Sequence, residues 1–347
     1  MHPQTTSLSP VRRTVVAVAL AATVVACGPG EDAPEPAAPE PLSAAPEPAE
    51  APDLGAEPAG LLVPVGTAPE GVVVDSTTGR VVVGVRDPDG VAVLDLDGNL
   101  VRRVELDGSP RHLFLSGAGG PVLVPAEGSD QLVQVDLPDG EVASVTPVGR
   151  NPHDAVAVGS RSFTADEFAE QVSVIEGGEV VEVVPAPLQP GGINAAAGKV
   201  AVVGVRARQT KVFDAETLEE VATVPTGEGP THIEGAGDRL YVADTNGDAV
   251  LVLSVSADSV EEVARLDLPG APYSMAVDAQ RQRLWVTLTE RNEVVALDIS
   301  GPEPEVVTTL PAARQPNGVA VNGASGTVYV TGTADGVLQI IPAELTG

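Results

Sequence analysis

The chain has 347 residues, with 49 acids against 19 bases, a formal charge of -30, one cysteine and four histidines. Such acidity repels phosphate backbones and excludes nucleic acid as a partner, and a single cysteine excludes an internal disulfide or a cysteine-based zinc site. The 43% of hydrophobic residues exclude a wholly disordered chain, while only 2% are aromatic, so a core must be built from valine, leucine and alanine, which favours strands.

The N-terminus is polar up to Arg12 and Arg13 and then runs uncharged from Thr14 to Ala26, the layout of a secretory signal peptide over residues 1–26. Thirteen residues are too few for a membrane span, which needs roughly 20 in a helix. The run ends Val24-Val25-Ala26-Cys27-Gly28, which resembles a bacterial lipobox. That resemblance implies lipidation (palmitate) at Cys27 and a chain anchored to the cell membrane on its extracytoplasmic side; the alternative is an ordinary signal peptide with an incidental cysteine. From Gly28 to Gly60 come nine prolines, nine alanines and eight acids with no lysine or arginine. This composition cannot bury a core, so residues 27–60 are expected to be the lipidated cysteine and a disordered tether, reaching on the order of 100 Å if polyproline-like.

Internal periodicity governs the rest, residues 61–347. A proline recurs in matching contexts at Pro69, Pro110, Pro152, Pro190, Pro230, Pro272 and Pro316. A short apolar strand follows each one, as in Gly318-Val-Ala-Val-Asn322, and then a second strand with its largest residue in register at Val82, Leu123, Phe163, Ala201, Tyr241, Trp285 and Tyr329. A third strand alternates and often ends at an acid, such as Asp95, Asp136, Asp214 or Asp298, where a carboxylate suits a turn. A more polar fourth strand completes each unit, as charges on an outermost strand discourage edge pairing. Four strands per roughly 40 residues predict a β-propeller, all-β, with seven blades. The last unit lacks a fourth strand, which Leu61-Leu-Val-Pro-Val65 can supply, closing the ring between the two ends of the domain. Pro64 is tolerable there because an outermost strand has one unpaired side.

Segments such as Leu240-Tyr-Val-Ala-Asp-Thr-Asn-Gly-Asp248, Leu284-Trp-Val-Thr-Leu288 and Val328-Tyr-Val-Thr-Gly332 resemble the repeats of the YVTN, or YncE-like, seven-bladed propellers. The resemblance covers about residues 61–345, and blade 4 departs most, with Gly191-Gly192 after its proline. It implies the fold and little chemistry, since propellers host binders, enzymes and scaffolds alike.

In a propeller the loop entering each inner strand and the loop joining the second and third strands lie on one face, around the channel mouth. His112, His153 and His232, the histidines outside the signal segment, all fall there, with Asp154 in the register of His112 and His232. The facing loops add carboxylates, among them Glu127, Asp166 and Asp244. Three imidazoles with carboxylates suit a divalent cation (Ca, Mg or Zn), although His153 stands one residue out of register, which weakens a symmetric cage. The alternative is structural: in the resembling family histidine is frequent after the blade proline, where it can bond a neighbouring blade's backbone. Tyr273 and Asn317, each just after a proline, are candidate ligand contacts at the rim. Neither a nucleophile elbow nor a phosphate loop nor HExxH is present, and no catalytic residue is assigned. The sequence therefore puts first a monomeric, membrane-anchored binding module for a protein, wall component or small ligand. A divalent-metal-dependent hydrolase or lyase, resembling lactonase and streptogramin-lyase propellers, is the alternative at the same mouth.

Overall fold

A computed structural model describes residues 48–346. The signal segment, Cys27 and most of the tether lie outside these residues. The rest is a seven-bladed β-propeller: seven four-stranded antiparallel sheets, six of them built from four consecutive strands. No helix among the described residues is long and apolar enough to cross a membrane.

Blade 3 shows how the sequence makes the unit. Its strands are β10 (Pro152–Val158), β11 (Arg161–Asp166), β12 (Gln171–Glu176) and β13 (Glu179–Pro185). β11 and β12 are packed on both faces by neighbouring blades and are almost wholly buried, whereas β13 is exposed at all but one position. The register residues Val82, Leu123, Phe163, Ala201, Tyr241, Trp285 and Tyr329 are all buried between blades. Phe163, for example, meets Phe213 of blade 4 with ring centroids 6.0 Å apart. In every blade the turn from second to third strand carries one left-handed residue, in order Asp87, Asp130, Glu170, Arg208, Asp248, Asn292 and Gly336. The strand-end aspartates work as expected: Asp95 accepts the Asp97 and Asn99 amides and Asp214 those of Glu216 and Thr217.

The last blade closes as the sequence predicts. β1 (Leu61–Pro64) pairs antiparallel with β28 (Val337–Ile341), outside β27 (Val328–Gly332) and β26 (Pro316–Val321). Val63 and Val65 pack with Tyr329, Leu338 and Ile340, so the first strand of the domain completes the core of its last blade. The tether differs from the expectation near its end. Gln315 donates to the Ala49 carbonyl and accepts from the Ala51 amide, and Asn292 donates to the Pro52 carbonyl. Ala59 donates to Pro311 and packs with Trp285 and Ile341. Residues 49–59 therefore run along blades 6 and 7, held by side-chain amides that satisfy backbone groups which the proline- and alanine-rich composition cannot pair internally.

Candidate metal centre at the channel mouth

In blades 3 to 7 the blade proline starts the inner strand, and a β-bulge there decides which side chains meet; in blades 1 and 2 the strand begins a few residues later, at Val72 and Phe114. In blade 5, β18 (Pro230–Ala236) pairs with β19 (Arg239–Asp244); Pro230 lies opposite Asp244 and His232 opposite Ala243, leaving Thr231 as the extra residue. In blade 3, Pro152 lies opposite Asp166 and Asp154 opposite Ala165, so His153 is the extra residue. A bulge breaks the alternation of the pleat and re-aims a side chain. The first and second residues after the proline thus both reach the axis, and the one-residue offset of His153 does not keep it from the others.

The three histidines converge. One ring nitrogen from each of His112, His153 and His232 lies within 4.8 Å of the others. Nε2 of His112 and Nε2 of His232 face each other at 2.8 Å. Nδ1 of His153 lies 3.5 Å from Oε2 of Glu167. Nδ1 of His232 lies by the Tyr273 backbone without a well-formed hydrogen bond. The Tyr273 ring stands edge-on to His232, centroids 4.3 Å apart. Glycines make room for this crowd. A Cβ on Gly192 would lie 2.8 Å from the His232 Cα, and one on Gly71 would lie 2.6 Å from the Arg111 carbonyl oxygen and 3.0 Å from the His112 Cα. The glycine pair that sets blade 4 apart is what brings β14 (Pro190–Ala196) against the strand carrying His232.

Burial holds the imidazoles of His112 and His232 neutral: desolvation pushes both well below the usual histidine value, reinforced by neighbouring imidazoles and by Arg111. Burial would raise the Glu167 carboxyl, but the His153 imidazole beside it and the bond from Gln189 outweigh it and hold it below its ordinary value. Neutral imidazole is the metal-binding form, and a carboxylate on the far nitrogen is the usual partner that orients a ligating histidine. The residues present therefore fit a metal ion. An all-imidazole donor set suits zinc or a neighbouring transition metal, whereas calcium and magnesium require oxygen.

The other predicted residues fall elsewhere. Asp166 is fully buried and accepts from Thr164, Gln171, Ser173 and the Gly149 amide. Asp244, also fully buried, accepts the amides of Glu228 and Gly229 and faces Arg265 at 3.3 Å. Both lie outside the histidine cluster, and their oxygens brace the loops that lead into the strands of His153 and His232. Glu127 lines the mouth but is bonded to Arg86 at 2.8 Å, and it too is outside the histidine cluster. Asn317 accepts from Gln315, beside the docked tether. Asp154 accepts the amides of Ala155 and Ile193 and faces the channel below the histidines.

Two cavities flank the histidines, and His232 lines both. The outer one, of about 260 Å³, opens at the mouth and is bounded by Arg111, Glu127, His153, Glu167, Phe168, Val205 and Tyr273. The inner one, of about 220 Å³, holds Asp154, Asn194 and Glu234. Asn194 and Glu234 were not singled out by sequence; they share one offset, four residues after their blade proline. The accessible surface left to Asp154 and Glu234 faces this cavity, and desolvation pushes Asp154 up to about 6 and Glu234 up to about 8, the latter helped by the charge of Asp154. A carboxyl raised on folding binds more protons folded than unfolded, so Glu234 makes stability fall as pH rises from about 4.5 to about 8. The depressed His112 and His232 act oppositely, removing stability only as pH falls below about 6.5. Between pH 6.5 and 8 the native melting temperature should therefore decline, and Glu234→Gln should flatten that decline; an unchanged slope in melts across this range would show that Glu234 is not the group responsible.

No family model and no curated protein sequence matches the chain. Solved structures do resemble it. Hydrazine synthase of Kuenenia stuttgartiensis is 14% identical, with TM-score 0.67 over 85% of this chain and 97% of that one. The Cps50 (Swd1) propeller domain of Myceliophteria thermophila is 14% identical, TM-score 0.68, over 81% and 99%. Virginiamycin B lyase from Staphylococcus aureus is 15% identical, TM-score 0.67, over 82% and 99%; a catalytically inactive histidine-to-alanine variant of that lyase is also solved, with quinupristin. At these identities the likeness establishes the seven-bladed propeller fold that the chain shares with them.

Proposed function

We propose that this protein is an extracytoplasmic lipoprotein, lipid-anchored at Cys27, whose YVTN-like propeller binds a divalent transition metal through His112, His153 and His232 and acts there as a hydrolase or lyase on a small substrate. The observation that carries the reading is the convergence of three imidazoles within 4.8 Å. Three protein ligands is the number that catalytic zinc sites use, whereas structural sites use four. When bound, such an ion supplies Lewis acidity toward a carbonyl or a water molecule. The chain's own residues do the rest. Glu167 orients His153, the Tyr273 ring wedges His232, and Phe168 and Val205 give the mouth cavity an apolar wall. The inactive histidine variant of the virginiamycin B lyase propeller supports this order of the two readings.

The binding-module reading draws on a different observation, the docked residues 49–53. They lie against Asn292 and Gln315 on the mouth face, so an extended peptide can be seated there. The test is metal analysis of protein purified with its metal, followed by thermal melts with and without chelator. About one equivalent of zinc or a neighbouring transition metal is expected, with a chelator-induced drop of several degrees. Protein that carries no metal and melts identically in chelator would overturn the enzyme reading and leave the binding module.

A further inference from the structure

The end of the tether lies on a seat that the propeller builds from side-chain amides. Gln315 stands just before the blade proline of blade 7 in the left-handed region, φ 61°, and Asn292 is the left-handed turn residue of blade 6. Asn292 and Asn317 are both buried. Oδ1 of Asn292 accepts the Gln315 backbone amide and Oδ1 of Asn317 accepts from Nε2 of Gln315, so the three side chains hold one another in place. Their remaining groups meet the tether. Oε1 of Gln315 accepts the Ala51 amide at 2.9 Å, its Nε2 donates to the Ala49 carbonyl at 2.8 Å, and Nδ2 of Asn292 donates to the Pro52 carbonyl at 2.9 Å. Gln315 thus offers one acceptor and one donor to alternate residues, as a neighbouring strand would. Ala49 and Ala51 are half-buried and Glu50 is exposed, the alternation of an extended peptide. All three bonds go to backbone, so the seat requires an N-H at the place of Ala51 and small side chains at the two inward places. A proline at the next position holds the inward alanine extended before it binds. Arg314, 3.7 Å from Asp53, adds a preference for an acid after that proline.

The tether carries this pattern more than once. Ala51-Pro52-Asp53 is preceded by Ala45-Pro46-Glu47, Ala38-Pro39-Glu40 and Ala33-Pro34-Glu35. At the place of Ala49, two residues before the alanine, these copies have Ser43, Pro36 and Glu31, of which the small Ser43 fits the inward position. We propose that Asn292, Gln315 and Asn317 form a recognition seat for an extended Ala-Pro-acid peptide, and that residues 43–47 of the same tether are its second occupant, in exchange with residues 49–53. This deepens the binding-module reading and is independent of any metal. Exchange moves the seated point six residues toward Cys27 and shortens the tether between Cys27 and the seat by about 19 Å if polyproline-like. The loop from the seat to Ala59, which donates to Pro311, grows from seven residues to thirteen. Loop closure disfavours that by only about two- to threefold. Residues 54–56, which lie against Arg291 and Asn292 in the first register, add to its advantage. The first register therefore prevails, and a change at Ala51 brings the second forward.

The test is amide hydrogen exchange, read residue by residue by NMR on the full chain, with a free peptide of residues 43–60 as reference. In the native protein the Ala51 amide should exchange at least about tenfold more slowly than in the peptide, and the Ala45 amide within about twofold of it. Ala51→Pro removes the N-H that Gln315 accepts without touching the propeller, and it should slow Ala45 at least about threefold relative to the peptide. Gln315→Gly, which the left-handed backbone accepts, should return Ala51 in the native tether and Ala45 in the Ala51→Pro tether to the peptide rate. Should the glycine variant fail to fold, Gln315→Met, of similar length with neither the donor nor the acceptor, carries the same decision. An Ala45 amide that stays at the peptide rate in Ala51→Pro, or protection that survives loss of the Gln315 amide, overturns the proposal. So does a slowing of Ala45 that scales with protein concentration, which puts a second copy's tether in the seat. An Ala51 amide already at the peptide rate in the native protein removes the seat and the binding-module reading together, a result distinct from a seat that holds one register only.

Discussion

Replacing His232 by alanine should lower zinc affinity by more than about a hundredfold, beyond the 10- to 100-fold typical of losing a group that only orients a ligand. His232 supplies one of the two facing Nε2 atoms, so its loss leaves two imidazoles, one short of the three protein ligands of a catalytic zinc site. Glu167→Gln is the contrast. It keeps an oxygen near Nδ1 of His153 but removes the charge, and should cost about tenfold. The readout that separates a ligand from a structural residue is the metal-induced rise in melting temperature. At a free zinc concentration a hundred times the dissociation constant that rise is about 2.7 kcal/mol, or roughly 5 °C in a domain of this size. The native protein should show it and His232→Ala should not. The metal-free variant should melt within a few degrees of the metal-free native protein, because it loses one neutral hydrogen bond worth about 1 kcal/mol and a partly replaceable volume. An undiminished zinc-induced rise in His232→Ala would remove the histidine cluster from consideration as a metal site.

The fold was legible because it is periodic. The blade prolines, the inter-blade residues Phe163, Tyr241 and Trp285, and the missing fourth strand of the last unit are one-dimensional signals of a repeat that packs only on its neighbours. The site was half legible. Spacing alone placed three histidines at one mouth, but their convergence depends on the bulges at Pro152 and Pro230, which sequence registers only as an offset. The direction of the carboxylates was not legible for a related reason. Asp166 and Asp244 end second strands at the mouth, where counting residues fixes their height but not their direction, and both turn toward backbone amides in their own blades. The small residues Gly71 and Gly192, beside the histidines, are a readable signal of close approach, but a glycine does not say which side chain it makes room for.

Removing the closing strand should destabilise the whole propeller. In a chain that begins at Gly66, β28 loses the pairing of Leu61 with Ile340 through Pro64 with Val337, together with the bond from the Val65 amide to the Gly336 carbonyl. Val65, only 2% exposed, leaves the core, and the half-buried Val63 no longer covers Tyr329, Leu338 and Ile340. Burying a valine is worth about 1.5 kcal/mol or more and each backbone bond about 1 kcal/mol, so after the entropy of ordering the strand the loss is on the order of 5 kcal/mol. That corresponds to roughly 10 °C in melting temperature. The effect should be global because no disulfide is available to close the ring, so among the described residues blades 1 and 7 are joined by packing, by the hydroxyls of Tyr329, Thr331 and Thr333 donating to the Leu96, Glu70 and Pro69 carbonyls, and by this strand. A chain beginning at Leu54 keeps β1 while losing the contacts of Ala49 to Asp53 at the mouth, and it should melt within a few degrees of the native protein. Leu61→Lys, at a position 55% exposed on the same strand, should cost no more than about 0.5 kcal/mol. If the chain beginning at Gly66 melts with the one beginning at Leu54, closure by the N-terminal strand contributes nothing to stability, and the ring must hold through inter-blade packing and the hydroxyl bonds of blade 7 to blade 1.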